Sequence, residues 1–277
     1  MKRKNKIFNL LVVLLVAMGI ATDLCSVSAS AETPYQTYTV DGYGRIEETQ
    51  TAYLAKDTII QFGKESISGA NDICVTDDNR IYVADTNHGR VIVGTTDGEL
   101  VRIIGKGILK SPMGVFVTDN KHVYVADRDS STVYEFSDDG KVLNKYGKPD
   151  SPLYGDGLDF LPIKVVVNDA GVMFVVCQSN TNGIVEISPA EGGTFLGYFG
   201  ANYASADLQT IIYRAILTSE QRAKMVSNLP STPDNLAIDS KGLIYTVTRG
   251  EEDSTLKRLN IAGTNMIQGG SSSGVYD

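Results

Sequence analysis

Two histidines, three cysteines and no tryptophan are all that 277 residues contain of those types. His88 falls in a loop between strands and His122 in the turn before one, so a paired-histidine metal centre and a Ser-His-Asp triad lack their parts. The three cysteines form no C-x-x-C or Cys/His cluster of the kind that holds zinc. A phosphate-cradling glycine loop is also missing. After the N-terminus no run is long and apolar enough to span a bilayer, which needs about 20 residues. Basic excess is missing as well: the formal charge is −8, which argues against nucleic acid and anionic membrane surfaces as partners.

What is present begins with MKRKNKIFNLLVVLLVAMGIATDLCSVSASAETPY. A basic head, a short apolar core and Ala29-Ser30-Ala31 have the order of a secretory signal. The expected mature chain is 32–277, secreted and extracellular, with 21 Lys and Arg against 32 Asp and Glu. Cys25 leaves with the leader. Cys74 and Cys177 lie in the strand-like runs DICVT and FVVCQ and read as small buried hydrophobes, although export permits a disulfide.

The strongest internal signal is repetition. Residues 72–105 and 114–147 align without a gap and share eleven residues, among them Tyr82/Tyr124, Val83/Val125, Ala84/Ala126, Asp85/Asp127 and Gly105/Gly147. Weaker copies follow at 162–200 and from 233. Each unit predicts four short strands rich in Val, Ile and Tyr, with Asp97-Gly98 and Asp139-Gly140 as hairpin turns. A four-stranded unit of about 40 residues in tandem is the mark of a β-propeller blade, because stacking covers both faces of each small sheet. The fold class expected is all-β, with blades at about 66–105, 108–147, 158–200 and 231–270.

Pro112-Met113-Gly114, Val83-Ala84-Asp85, Val125-Ala126-Asp127, Arg90-Val91, Ile104-Gly105 and Tyr146-Gly147 resemble the NHL repeat. That resemblance implies a closed ring, most often of six blades, and relates the chain to gluconolactonase-like six-bladed propellers. Residues 35–63 end in the same Phe-Gly word and look like the outer strands of a further blade. Four units and this leading half fall short of six blades, so an incomplete ring is expected, truncated or completed by another chain. Residues 203–230 break the repeat. Leu208, Ile211, Ile212, Ala215 and Ile216 form a helical stripe, Thr218 and Gln221 open a second helix, and the insertion serves either a partner or an exposed edge.

Two functions follow. In the first, the chain is a recognition scaffold for a protein, peptide or small ligand, with no cofactor; its loops DTNHGR, DRDSST, QSNTNG and RGEEDS are polar, varied and free of aromatic residues. In the second, implied by the gluconolactonase-like resemblance, a calcium or other divalent cation on the axis activates a lactone or a water, held by Asn, Asp and Glu from several blades. Candidate ligand-binding residues are Asn71, Asp72, Asp85, Asn87, Asp127, Arg128, Asp234 and Asn235. Lys164, Cys177 and Thr248 replace acidic residues in the later units, and blade-end Asp residues commonly tie down their own loops. The scaffold reading is therefore preferred to the enzyme.

Overall fold

The computed structural model describes residues 36–49, 53, 55, 57–155, 157–200, 232–249 and 256–267. The leader at 1–31 and the insertion at 203–230 lie outside them. Residues through Thr58 form one compact unit and residues from Ile59 another. Among the described residues, no helix is long and apolar enough to cross a membrane.

The first unit contains the hairpin β1 (Thr37–Val40) and β2 (Ile46–Thr49). Asp41 ends β1. Its carboxylate accepts the backbone N–H of Tyr43 and Arg45 at 2.9 Å each and the Arg45 Nε at 2.8 Å.

The second unit opens with the short pair β3 (Gln61–Phe62) and β4 (Glu65–Ser66). Four antiparallel sheets follow. The first is β5 (Ala70–Val75), β6 (Arg80–Asp85), β7 (Arg90–Thr95) and β8 (Leu100–Ile104). The second is β9 (Pro112–Val117), β10 (Val123–Asp127), β11 (Thr132–Phe136) and β12 (Val142–Tyr146). The third is β13 (Pro162–Val167), β14 (Met173–Cys177), β15 (Ile184–Ser188) and β16 (Thr194–Phe199). The fourth has β17 (Asn235–Ile238), β18 (Ile244–Val247) and β19 (Leu256–Leu259), with a single bridge from Leu259 to Asn265. The molecule is thus an all-β propeller of up-and-down blades. The described residues build four blades where the resemblance implies six.

Turn chemistry explains the regular meander. Gly98 and Gly140 take φ of 82° and 84°, a conformation that costs little without a Cβ. Both lie in the connections between third and fourth strands, as the Asp-Gly pairs predict. Within each sheet side chains alternate, so every blade has two faces to cover. Tyr82, Ala84, Val91 and Val93 of the first blade pack on Val115 and Val117 of the second. Tyr124, Ala126, Val133 and Tyr146 of the second pack on Val165 and Val167 of the third. Phe174, Val176, Ile184 and Phe199 of the third meet Leu236, Ile244 and Leu259 of the fourth. This two-sided burial produces the nearly continuous apolar runs seen in the sequence.

Among the described residues the series does not close into a ring. Ile73 and Val75 pair with Val83 and Ile81, as Val115 and Val117 pair with Val125 and Val123. The second pair is buried beneath the preceding blade; Ile73 and Val75 are 60% and 58% exposed. The outer part of that first face is covered: Phe62 packs with Ile81, Val83 and Ile92. Gly94 makes room for the Phe62 ring, since a Cβ there would lie 1.9 Å from it.

Candidate functional site

The Asp that ends each V-A-D strand is entirely buried in the first two blades. Asp127 accepts the backbone N–H of Lys110 and Ser111, both at 2.7 Å. Asp85 accepts the Ser68 N–H at 2.8 Å, the Arg90 Nε at 2.7 Å and a contact from His88 Nδ1 at 2.8 Å. Arg90 continues to Glu65 at 2.5 Å and to the Ser66 carbonyl at 2.9 Å. These carboxylates hold the entry to their own blade against its strand end. The following loops are held too: Thr86 Oγ1 donates to the Pro112 carbonyl at 2.5 Å, and the Arg128 N–H to the Ser111 carbonyl at 3.1 Å.

The other sequence candidates divide by position. Asn87 Nδ2 donates to Ser68 Oγ at 3.1 Å, and Arg128 Nε to Asp129 at 2.7 Å. Asp234 is bound by Arg249 through its backbone N–H at 2.7 Å and its guanidinium at 2.7 and 3.0 Å. The Arg249 side-chain and backbone bonds hold the Asp234 carboxyl below the usual carboxylate range.

Asn71, Asp72 and Asn235 come together. They line a cavity of about 600 Å3 on the inner side of β5, with Ile59, Ile67, Ile73 and Val83 as apolar wall. Its central polar group is Lys164, which the sequence reading counted only as a lost acid. Lys164 Nζ lies 2.7 Å from Asp72 Oδ1 and donates to the Asn71 carbonyl at 3.0 Å. Asp72 Oδ2 accepts the Val115 N–H at 2.9 Å. One carboxylate on the first blade is thereby tied to the second and third. The register explains the meeting: Asp72, Gly114, Lys164 and Asn235 pair with Ala84, Ala126, Val176 and Val247. They occupy one equivalent position in four successive inner strands. Gly114 is required by close approach, because a Cβ there would stand 2.7 Å from the Ile163 carbonyl oxygen.

The site lies at the same end as the loop that follows Asp85, since Asn71 Nδ2 also donates to Thr86 Oγ1 at 2.7 Å. At the opposite end, the inner turns bring Asp77, Asp119, Asp169 and Asp239 around a cavity of about 960 Å3. The Asp239 carboxylate there accepts the backbone N–H of Lys241 and Leu243 at 2.9 Å each. The histidines stay apart: His88 contacts Asp85, while His122 Nδ1 lies 2.7 Å from Glu135. Cys74 and Cys177 are free thiols, and burial pushes Cys177 up to about 12.

Residues 68–93 match the NHL repeat family. The chain carries an NHL repeat. That stretch holds β5, β6 and the start of β7, with Asp72, Asp85 and Arg90. Among curated proteins none matches the chain. Solved structures with a similar fold include virginiamycin B lyase from Staphylococcus aureus, 12% identical with TM-score 0.44 over 83% of this chain and 61% of that one. Hydrazine synthase from Kuenenia stuttgartiensis is 13% identical with TM-score 0.48 over 77% of this chain and 51% of that one. A gluconolactonase from Xanthomonas campestris is 16% identical with TM-score 0.44 over 76% and 61%. The NHL-bearing chain spans about half to three-fifths of the length of these structures.

The axial cation implied by the gluconolactonase-like resemblance does not fit the residues of this NHL propeller. The Lys164 ammonium stands against Asp72, where it would repel a cation, and Asp85, Asp127 and Asp234 are engaged by internal donors. No group of three or more acidic, His or Cys side chains suited to a metal forms among the described residues. The first NHL blade also explains the first unit. TYTVDGYGRI repeats the pattern of YVADTNHGRV, and Asp41–Arg45 copies Asp85–Arg90 with a loop one residue shorter. The sequence carried that signal, but the changed spacing hides it from an ungapped comparison.

Proposed function

We propose that this chain is an exported recognition scaffold, binding a protein, peptide or small ligand at the loop-bearing end of the propeller. The observation that carries this reading is the joint arrangement at that end. Buried Asp85 and Asp127 fix the segments bordering the loops, and those loops share the end with a cavity whose carboxylate is already paired with Lys164. A prearranged surface loses little freedom on binding, which favours recognition. The same arrangement leaves the axial carboxylate without a cation to hold, so hydrolysis of a lactone gains no support from the residues.

Screening the full chain against a peptide array, and against lactones with calcium, magnesium or zinc, tests this reading. Peptide binding that weakens on joint Asn87→Ala and Arg128→Ala substitution is expected, with lactones left at their uncatalysed rate. Cation-dependent lactone turnover overturns it. Export is tested separately by N-terminal sequencing of protein recovered from the medium: Glu32 is expected as the first residue, and retention of Met1 refutes cleavage.

A further inference from the structure

We infer that the axial cavity takes a neutral, apolar peptide segment through one of its main-chain carbonyls, with Lys164 and Asn235 as donors. This rests on the recognition reading and names the ligand class for the same end of the molecule. An ammonium carries three N–H groups. Lys164 spends two, on Asp72 and on the Asn71 carbonyl, and its side chain is only 11% exposed. The third belongs to a side chain that lines the cavity. Asn235 uses its Oδ1 to accept the Leu236 N–H at 2.9 Å. Its Nδ2 donates to nothing among the described residues and lines the same cavity. The equivalent position of the second blade is Gly114, whose missing side chain lets the backbone at Ile163 and Lys164 approach closely and so seats Lys164 beside Asp72.

Charge selects the acceptor. Asp72 neutralises Lys164 at 2.7 Å, so a ligand carboxylate drawn to the ammonium also meets the Asp72 carboxylate. A neutral amide carbonyl satisfies the spare N–H without that repulsion. The walls select the remainder: Ile59, Ile67, Ile73 and Val83 are apolar, and Ile60 and Ile73 are 72% and 60% exposed. The volume of about 600 Å3 lies in the range of ordinary ligand sites. The wall follows an extended strand, β5, which suits an extended peptide better than a compact ring.

NMR titration of the full chain, labelled at backbone amides and isoleucine methyls, tests this with three probes. They are N-acetyl-Val-Ile-Val-methylamide, the same tripeptide with a free carboxylate, and δ-valerolactone. The blocked peptide is expected to shift the Ile60 and Ile73 methyls, with affinity falling at least tenfold in Lys164→Met. Asn235→Ala, which removes the spare amide and leaves the ion pair, should weaken it severalfold and guards against a Lys164 variant that fails to fold. The carboxylate peptide should bind more weakly than the blocked one. Shifts confined to the loops overturn this site while leaving recognition intact. Binding of the lactone alone overturns the peptide class, and its turnover overturns the recognition reading too. No response to any probe, with the spectrum of a folded protein, overturns the inference.

Discussion

Lys164 of the third blade and Asp72 of the first meet across the propeller axis, Nζ to Oδ1 at 2.7 Å. Their separation of 92 residues in sequence makes this a purely tertiary contact. Since Asp72 also receives the Val115 N–H, the pair is a cross-brace over three blades. Lys164→Met should destabilise the protein by about 2–4 kcal/mol in urea unfolding, because it strands a largely buried carboxylate. Adding Asp72→Asn should recover part of that loss. Full additivity of the two changes would show that the pair does not interact.

The engaged carboxylates lead to a second expectation. Asp127→Ala leaves two backbone N–H groups without their acceptor and should cost about 2–4 kcal/mol by the usual penalty for such groups. Asp234→Ala, at an exposed Arg249 pair, should cost under about 1 kcal/mol. In both variants and the parent, millimolar calcium is expected to leave the thermal midpoint unchanged. A rise in the parent alone would place a cation on these carboxylates.

Gly114 and Gly147 test close approach. At Gly114 an added Cβ meets the Ile163 carbonyl oxygen at 2.7 Å and the Lys164 Cα at 2.9 Å, both backbone atoms. At Gly147 nothing lies within 4 Å. Gly114→Ala should therefore lower stability by roughly 1–3 kcal/mol, as overpacking does, and Gly147→Ala should be near neutral. Equal thermal midpoints for the two variants would refute the account.

Glu135 provides a pH test. It is buried, yet Asn144 and Tyr146 donate to it at 2.8 Å and His122 contacts it at 2.7 Å. Burial raises its carboxyl, but bonds from Asn144, Tyr146, His122 and Tyr124 outweigh that and hold it below the ordinary 4.5. A carboxyl depressed in the folded state contributes stability fully above its unfolded value, and the contribution is lost as pH falls through the folded one. The stability gap between the parent and Glu135→Gln should thus be widest near pH 7 and shrink below about pH 4.5. A gap that is constant from pH 7 to pH 3 would contradict this.

Much of the architecture was legible because repetition is a local property. Strand alternation, the Asp-Gly turns and the recurring V-A-D each act within one blade, so Val83-Ala84-Asp85 and Val125-Ala126-Asp127 announced equivalent strands. That Asp85 and Asp127 serve their own blades was legible, but not their donors: Ser68, Lys110 and Ser111 stand upstream at the blade entry, beyond the reach of a local Asx turn. The TYTVDGYGRI copy was less so, because a one-residue loop deletion displaced its Asp–Arg spacing.

By itself, then, the sequence determined the blade: its strands, turns, buried faces and the register that places one residue per blade at the axis. Only the tertiary structure decided what those axial residues do. Whether Asp72 meets a cation, a lysine or water depends on how far the sheets rotate around the axis, and that rotation comes from packing between blades. Close approach at Gly114 and burial of Val115 and Val165 carry Lys164 back to the first blade. There its charge turns a candidate metal ligand into half of an ion pair.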